Sequence, residues 1–215
     1  MIAVTFALPI ESSDFRRVLD DHHREVTVLH TGVGAEVCRK RIGPFLDTQR
    51  FDFLISSGFA GGVAPSLGVG DLILAENFSD PALLGRAREA LISHVAKLAT
   101  ADRIIESPVE REQFARQHSA AAVDMETEWV ARACAARKIP MLSLRVISDT
   151  AAAPFPAPPT VLFDLGRQKT DGLKLTAYLA CHPFGVVRLM RFARQIAFAR
   201  ANLAAALSVL VRELP

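Results

Sequence analysis

Residues 53–76 read FLISSGFAGGVAPSLGVGDLILAE, with an apolar run at each end and a glycine-rich middle. The apolar runs, at 53–55 and 72–74, are typical of short buried strands. The glycines between them predict a turn, in which bare backbone N–H groups can approach a ligand closely. Open α/β sheets bind their ligands at such carboxyl ends of strands. The segment therefore predicts a strand–turn–strand unit that is either part of a ligand site or a tight structural loop.

The rest of the chain alternates between predicted strands and helices. Unbroken apolar runs at 2–8 and 141–147 predict buried strands, and a weaker alternation at 24–30 predicts another. Ser12 or Ser13 is predicted to cap the helix that follows the first strand. Further helices are predicted at 82–98, 106–118, 127–138 and 182–215, and a short strand at 99–105. The alternation favours an α/β layered fold, and 215 residues favour one domain, 1–215.

Composition narrows the classes of function. Half of the residues are hydrophobic and 22% are charged, as in a well-folded soluble protein. The net charge of +2 gives no case for a nucleic-acid partner. The three cysteines are scattered without a CxxC pair, so neither a disulfide framework nor a zinc site is predicted. Because there is no signal-peptide pattern and no uncharged run of about 18 residues, we expect a cytoplasmic protein.

Two features follow the last predicted strand. Residues 151–159 contain four prolines, which predicts an extended loop that is either a plain connector or a lid over a site. The helix predicted at 182–215 carries Arg188, Arg191 and Arg194 at steps of three residues. Such a stripe is either the solvated face of a docked helix or a contact with an anionic membrane surface.

Three acidic residues, Glu11, Glu126 and Asp149, lie where predicted strands end. Any one of them alone is more often a cap or a solvated charge, but three beside a glycine-rich segment predict that they converge on one site. Neither Gly-x-Ser-x-Gly nor HExxH occurs, and no histidine is placed to act as a base for Ser148. The sequence therefore predicts neither a serine nucleophile nor a metal site.

Three motifs, in matching order and spacing, resemble the nucleoside phosphorylase and nucleosidase superfamily. They are SGFAGGVAP at 57–65 with VGD at 69–71, VDME at 123–126, and LRVISD at 144–149. The segment ALPIE at 7–11 resembles the A-M-E-E-E of methylthioadenosine and adenosylhomocysteine nucleosidases. The D-M-E variant, the short middle region and the arginine-spotted C-terminal helix also resemble hopanoid-associated phosphorylases. The resemblance covers residues 1 to about 150.

This resemblance implies a fold and a role for each matched residue. The fold would be a single-domain three-layer α/β structure with a central twisted mixed sheet flanked by helices, assembled as a homodimer without a cofactor. Glu11 would orient and deprotonate the attacking water, and Asp149 would give a proton to purine N7. Glu126 would bind the ribose hydroxyls with Met125 packing on the sugar, and Arg145 would lie near the nucleophile. The remaining expected substrate contacts are Gly58, Phe59, Ala60, Ser148, and the backbone around Ile104 and Ile105.

The chemistry explains why acidic residues are needed. Breaking a ribosyl C–N bond builds positive charge on the sugar, and the purine leaves as an anion unless an acid protonates it. The chain departs from the family pattern where Phe59 replaces a serine or threonine and Ser56 replaces the phosphorylases' arginine. The phosphorylases' N-terminal Gly-Asp-x-x-Arg loop is also missing. Because those groups would hold phosphate, hydrolysis is favoured over phosphorolysis.

We therefore predict an enzyme that cleaves the N-glycosidic bond of an adenine-type purine nucleoside, with water as the nucleophile. A second hypothesis is a phosphorylase that releases adenine from an adenosyl lipid such as adenosylhopane, which a more open 5′ end of the pocket would admit. A third is a nucleoside-binding protein without turnover, suggested by Phe59 and Ile104. A dinucleotide-binding domain is the weakest alternative, because residues 58–62 do not fit GxGxxG.

Overall fold

Three buried parallel strands form the centre of the molecule: β1 (Ile2–Phe6), β3 (Phe53–Gly62) and β8 (Met141–Asp149). The computed structural model describes residues 1–19, 26–164, 166, 168, 172–182 and 184–214. Strand β3 lies between the other two, so all three carboxyl ends reach the same edge of the sheet. The apolar runs at 2–8, 53–55 and 141–147 predicted a buried strand at each of these places, and that prediction is confirmed.

The outer strands complete a mixed eight-stranded sheet in the order β2-β1-β3-β8-β4-β5, in which β7 pairs with β3 and with β6. Their bounds are β2 Val26–His30, β4 Leu72–Ala75, β5 His94–Ala96, β6 Leu98–Thr100 and β7 Ala122–Asp124. Two pairings, β3 with β7 and β4 with β8, are antiparallel. The predicted α/β fold with a mixed sheet is therefore confirmed.

Helices cover both faces of this sheet. They are α1 Pro9–Leu19, α2 Ala35–Leu46, α3 Pro81–Ala90, α4 Pro108–His118, α5 Thr127–Ala136, α6 Pro159–Leu162, α7 Gly172–Cys181 and α8 Gly185–Glu213. Helices α1 and α8 pack on one face, where Phe15, Leu203 and Leu207 are fully buried. Helices α2 and α5 pack on the other, through Ile42, Cys134 and their neighbours. Within the described ranges, no helix combines the length and apolar character that crossing a membrane requires.

The glycine-rich segment differs from its prediction. It is not a turn, because β3 continues through Gly58 to Gly62 and pairs with β8 along one side and β7 along the other. A bulge between Ala60 and Gly61 shifts the register with β8, and bulges of this kind often lie beside active sites. Gly58 has φ +144°, a conformation that disfavours other residues. The chain turns only afterwards, between 63 and 71.

Several predicted boundaries were also wrong. The helix predicted at 82–98 ends at Ala90, because residues 94–96 pair with β4 as a strand. Helix α1 starts at Pro9, so Ser12 and Ser13 lie inside it, where their hydroxyls donate to carbonyls one turn back instead of capping. The strand predicted at 99–105 ends at Thr100. The strand at 2–8 ends at Phe6.

The helices predicted at 106–118 and 127–138 are confirmed as α4 and α5, and the one at 182–215 as α8. Parts of two predicted elements lie outside the described residues: residues 24–25 of the strand predicted at 24–30, and Pro183 and Pro215 of the helix predicted at 182–215. Residues 151–158 have no regular structure, as their prolines predicted. Helix α7 was not predicted.

Candidate active site

Two adjoining cavities lie at the carboxyl edge of β1, β3 and β8. The smaller has a volume of about 10 Å³, and the larger of about 320 Å³. They share the lining residues Ala7, Glu11, Phe59 and Glu126. All eleven residues proposed from the sequence line one or both cavities: Glu11, Gly58, Phe59, Ala60, Ile104, Ile105, Met125, Glu126, Arg145, Ser148 and Asp149. The topology thus brings them together, and their chemical roles remain predictions.

Glu11 is buried between the end of β1 and the bend in β3. The backbone N–H of Leu8 donates to its Oε2 (2.8 Å), and that of Phe59 donates to its Oε1 (3.0 Å). A Cβ at position 58 would lie 3.2 Å from Oε1, so Gly58 leaves room for this carboxylate. Burial raises the pKa of Glu11, and the two backbone donors and Arg145 oppose that rise. The two backbone hydrogen bonds therefore fix the position of a carboxyl group whose proton affinity burial has increased.

Glu126 lies two residues after the end of β7 and lines both cavities. Its Oε1 accepts a hydrogen bond from the backbone N–H of Gly34 (2.8 Å). Burial, followed by the negative charge of Asp124, raises its pKa to about 8. In the ligand-free protein at neutral pH, Glu126 is therefore largely protonated.

This raised pKa makes stability depend on pH. An unfolded glutamate ionises near pH 4.5, whereas folded Glu126 keeps its proton up to about pH 8. Between those values the folded state binds the extra proton, so stability falls as the pH rises. Because Glu126→Gln cannot ionise, we expect it to melt with wild type near pH 4.5 and about 3 °C or more above it near pH 9. Thermal unfolding at the two pH values measures this difference.

The exposed Glu36 supplies the matched control for that measurement. The Glu36→Gln variant should keep the same difference in Tm from wild type at both pH values, because its carboxylate lies at the surface. An equally pH-independent difference for Glu126→Gln would show that Glu126 is ionised in the folded protein across the range.

Arg145 places a guanidinium in the middle of β8, a strand that is buried along its whole length. Its Nε donates to Asp124 Oδ2 (3.0 Å), and its Nη2 donates to the hydroxyls of Ser56 (3.0 Å) and Thr127 (2.6 Å). Asp124 also accepts from the hydroxyl of Thr100 (2.9 Å). Asp124 was not among the predicted site residues. The available signal was Arg145 itself, because a buried cation needs a buried anion nearby.

Asp149, the last residue of β8, is fixed by two side chains. The hydroxyl of Ser148 donates to its Oδ1 (2.7 Å), and Nη2 of Arg111 forms a buried ion pair with its Oδ2. Arg111 also donates from Nη1 to the carbonyl of Gly62 (3.0 Å), while its buried Nε has no hydrogen-bond partner among the described residues. A Cβ on Gly61 would come within 3.3 Å of both charged groups. Sequence reasoning missed Arg111, which lies on a helix interpreted as a polar connector.

The larger cavity is mostly apolar. Its lining includes Ile104, Ile105 and Val123. Five more apolar side chains come from the proline-rich segment, from α6 and the residue after it, and from α8: Phe155, Leu162, Phe163, Phe192 and Ile196. A pocket of this size with few polar groups is typical of a small-molecule site. The predicted lid segment therefore supplies one wall of the cavity.

Within the described ranges, no three His, Cys, Asp or Glu side chains are grouped to hold a metal ion. Burial raises the pKa of both Cys38 and Cys134 to about 12. Both are therefore thiols at neutral pH, which disfavours thiolate chemistry at these two positions.

Comparisons with known proteins agree with the motifs. The family model described as the phosphorylase superfamily matches residues 77–180. Two curated relatives are 5'-methylthioadenosine/S-adenosylhomocysteine nucleosidases. The one from Geobacillus thermodenitrificans is 28% identical over 160 residues, which cover 59% of this chain and 67% of the relative. The one from Geobacillus kaustophilus is 29% identical over 160 residues, which cover 59% of this chain and 68% of the relative. Futalosine hydrolase of Helicobacter pylori (TM-score 0.74, 16% identity, 99% of this chain and 97% of that one) has the same fold. So does the Streptococcus pneumoniae MTA/SAH nucleosidase (TM-score 0.73, 19% identity, 99% of both chains). The predicted resemblance is confirmed.

Proposed function

We propose that this relative of the phosphorylase superfamily is an enzyme that cleaves the N-glycosidic bond of an adenine-type purine nucleoside with water. The observation that carries the proposal is the cavity of about 10 Å³ beside Glu11. That volume is about what one water molecule occupies, and a phosphate ion needs several times more.

The lining of this small cavity suits a nucleophilic water. Glu11, Glu126 and Arg145 all line it, and the hydroxyl of Ser57 has no partner among the described residues. A bound water needs two to four polar partners, which these groups supply. Ser56 already accepts a hydrogen bond from Arg145. Water is therefore favoured over phosphate, and Glu11, held by two backbone N–H groups, is the base that takes its proton.

Glu126 borders both the water cavity and the larger cavity, and Met125 borders the larger one, where the ribose would lie. As the C–N bond breaks, positive charge develops on the sugar. That charge reduces the cost of ionising Glu126, whose pKa is raised by burial and by Asp124. The carboxylate would thus be more stable in the transition state than in the free enzyme, which is the condition for electrostatic catalysis.

The departing base would lie against Asp149, Ile104 and Ile105. We infer that Asp149 shares a proton with purine N7, as the resemblance implies. Arg111, its buried ion-pair partner, places a positive charge where the leaving base gains negative charge. A preorganised cation of this kind stabilises the transition state without the cost of reorienting water. Arg111 is in this proposal a positioning residue that acts through Asp149.

The apolar half of the larger cavity favours a second candidate, release of adenine from an adenosyl lipid. The 5′ end of a nucleoside would point toward Phe155, Phe192 and Ile196 if its base met Asp149 and its ribose met Glu126. These side chains suit a bulky apolar 5′ substituent. Phosphorolysis of such a lipid, as in the hopanoid-associated phosphorylases, remains the alternative reaction.

The test is release of free base, followed by chromatography. Methylthioadenosine, adenosylhomocysteine, adenosine and inosine are each incubated with and without phosphate. We expect adenine release that does not depend on phosphate and is faster for the adenine nucleosides than for inosine. Release only with phosphate, giving a ribose 1-phosphate product, would overturn the hydrolytic proposal in favour of the phosphorylase. If all four substrates stay intact, adenosyl lipids are tried next. If these lipids are not cleaved either, the remaining hypothesis is a nucleoside-binding protein without turnover.

A further inference from the structure

The first turns of α8 expose more large apolar side chains than the rest of that helix does. Phe184 is 83% exposed, Val187 59% and Met190 55%, whereas the C-terminal half packs into the core through Leu203 and Leu207. We use the name elbow surface for these exposed side chains at the junction of α7 and α8: Phe184, Val186, Val187, Arg188, Met190, Arg191 and Arg194. A cluster of this kind marks a surface that binds something apolar.

The charges beside this apolar cluster identify its partner. Residues 172–199 contain one lysine and three arginines and no acidic residue. Arg191 and Arg194 are exposed and form no ion pair with a described residue. Val187, Met190 and Arg194 lie on the same helix face, opposite Phe192 and Ile196, which line the substrate cavity. Apolar side chains flanked by arginines at helical spacing are typical of helices that lie on anionic lipid surfaces.

We propose that the elbow surface docks this protein onto an anionic membrane, with α8 lying along the lipid headgroups. A second copy of the chain fits this surface less well. A two-fold contact would set the same patch against itself, bringing six arginines together without a carboxylate from 172–199 to pair with them. Anionic headgroups instead supply the opposite charge, and the acyl chains accept Phe184, Val187 and Met190.

Docking in this orientation would have a consequence for the substrate. Helix α8 presents its outer face to the lipid and its inner face to the apolar end of the larger cavity. A nucleoside with an apolar 5′ tail could then pass from the bilayer into the cavity past Phe155. This consequence rests on the proposed function, whereas docking itself does not.

Vesicle binding tests docking without measuring any activity. The full-length protein is sedimented with vesicles of phosphatidylcholine alone and of phosphatidylcholine mixed with phosphatidylglycerol. We expect binding to the mixed vesicles only, weakened by salt. The variant Arg188→Gln/Arg191→Gln/Arg194→Gln should bind them roughly 100-fold more weakly. Val187→Ser/Met190→Ser should also bind more weakly, and this loss should persist at high salt.

The matched control removes three exposed arginines elsewhere, in Arg86→Gln/Arg88→Gln/Arg116→Gln, and should change binding by less than about threefold. Circular dichroism of every variant checks the fold. The proposal is overturned if wild type ignores both kinds of vesicle, or if the control weakens binding as much as the elbow variant. A change of oligomeric mass in the elbow variants without any vesicle binding would assign the surface to a second copy instead.

Discussion

Replacing Asp149 by asparagine is expected to lower kcat for purine release by about 10²–10⁴-fold, the usual contribution of a general acid. Asparagine keeps the size of the side chain and still accepts a hydrogen bond from Ser148, but it cannot pass a proton to N7. A nitrophenyl riboside, whose leaving group needs no proton, should be cleaved by the variant at close to the wild-type rate. Steady-state rates on the two kinds of substrate measure this contrast.

Two comparison variants make the contrast specific. Glu11→Gln should lose activity on both substrates, because each needs an activated water. Asp47→Asn removes a carboxylate from an exposed arginine pair and should leave both rates unchanged. If Asp149→Asn slows purine release and nitrophenyl release equally, Asp149 does not act on the leaving base. In that case its buried ion pair with Arg111 would be structural.

The sequence predicted the parts of the fold that depend on local pattern. Strands β1 and β8 are largely apolar because neighbouring elements cover both of their faces, and such runs can be recognised from the sequence alone. The glycine-rich segment was misinterpreted because glycine usually marks turns. What keeps 58–62 extended is pairing with β7 and β8 on its two sides. These partner strands lie 60 to 90 residues further along the chain, so the residues of the segment itself do not indicate the pairing.

The candidate site, like the fold, was predicted from the sequence only in part. The parallel strands β1 and β8 end at one edge of the sheet and bring Glu11 and Asp149 together there, as their positions after apolar runs predicted. Glu126 reaches the same cavity from β7, which runs antiparallel to β3. The residues that set the charge of the site, Arg111 and Asp124, were missed. Arg111 lies 38 positions before its partner on a polar helix, and ion pairs between distant elements have no sequence period. Only the cost of burying an unpaired charge points to them.

Replacing Arg111 by methionine is expected to lower the free energy of unfolding by about 3–5 kcal/mol, the usual cost of removing one partner of a buried pair. Methionine fills a similar volume, but it leaves the carboxylate of Asp149 buried with only Ser148 to support it. Urea unfolding at neutral pH measures the loss.

Arg116→Met, on the same helix, is the matched control. Arg116 pairs with Glu112 at the surface, so its removal should cost less than about 1 kcal/mol. The double variant Arg111→Met/Asp149→Asn removes both charges and should recover much of the stability lost by Arg111→Met, since a neutral pair no longer needs compensation. It should not recover purine release, because the proton at N7 is still missing. Recovery of stability without activity would separate the two roles of the pair, namely neutralising a buried charge and assisting the leaving base. A double variant as unstable as Arg111→Met alone would show instead that packing around Arg111, not its charge, holds this end of the cavity.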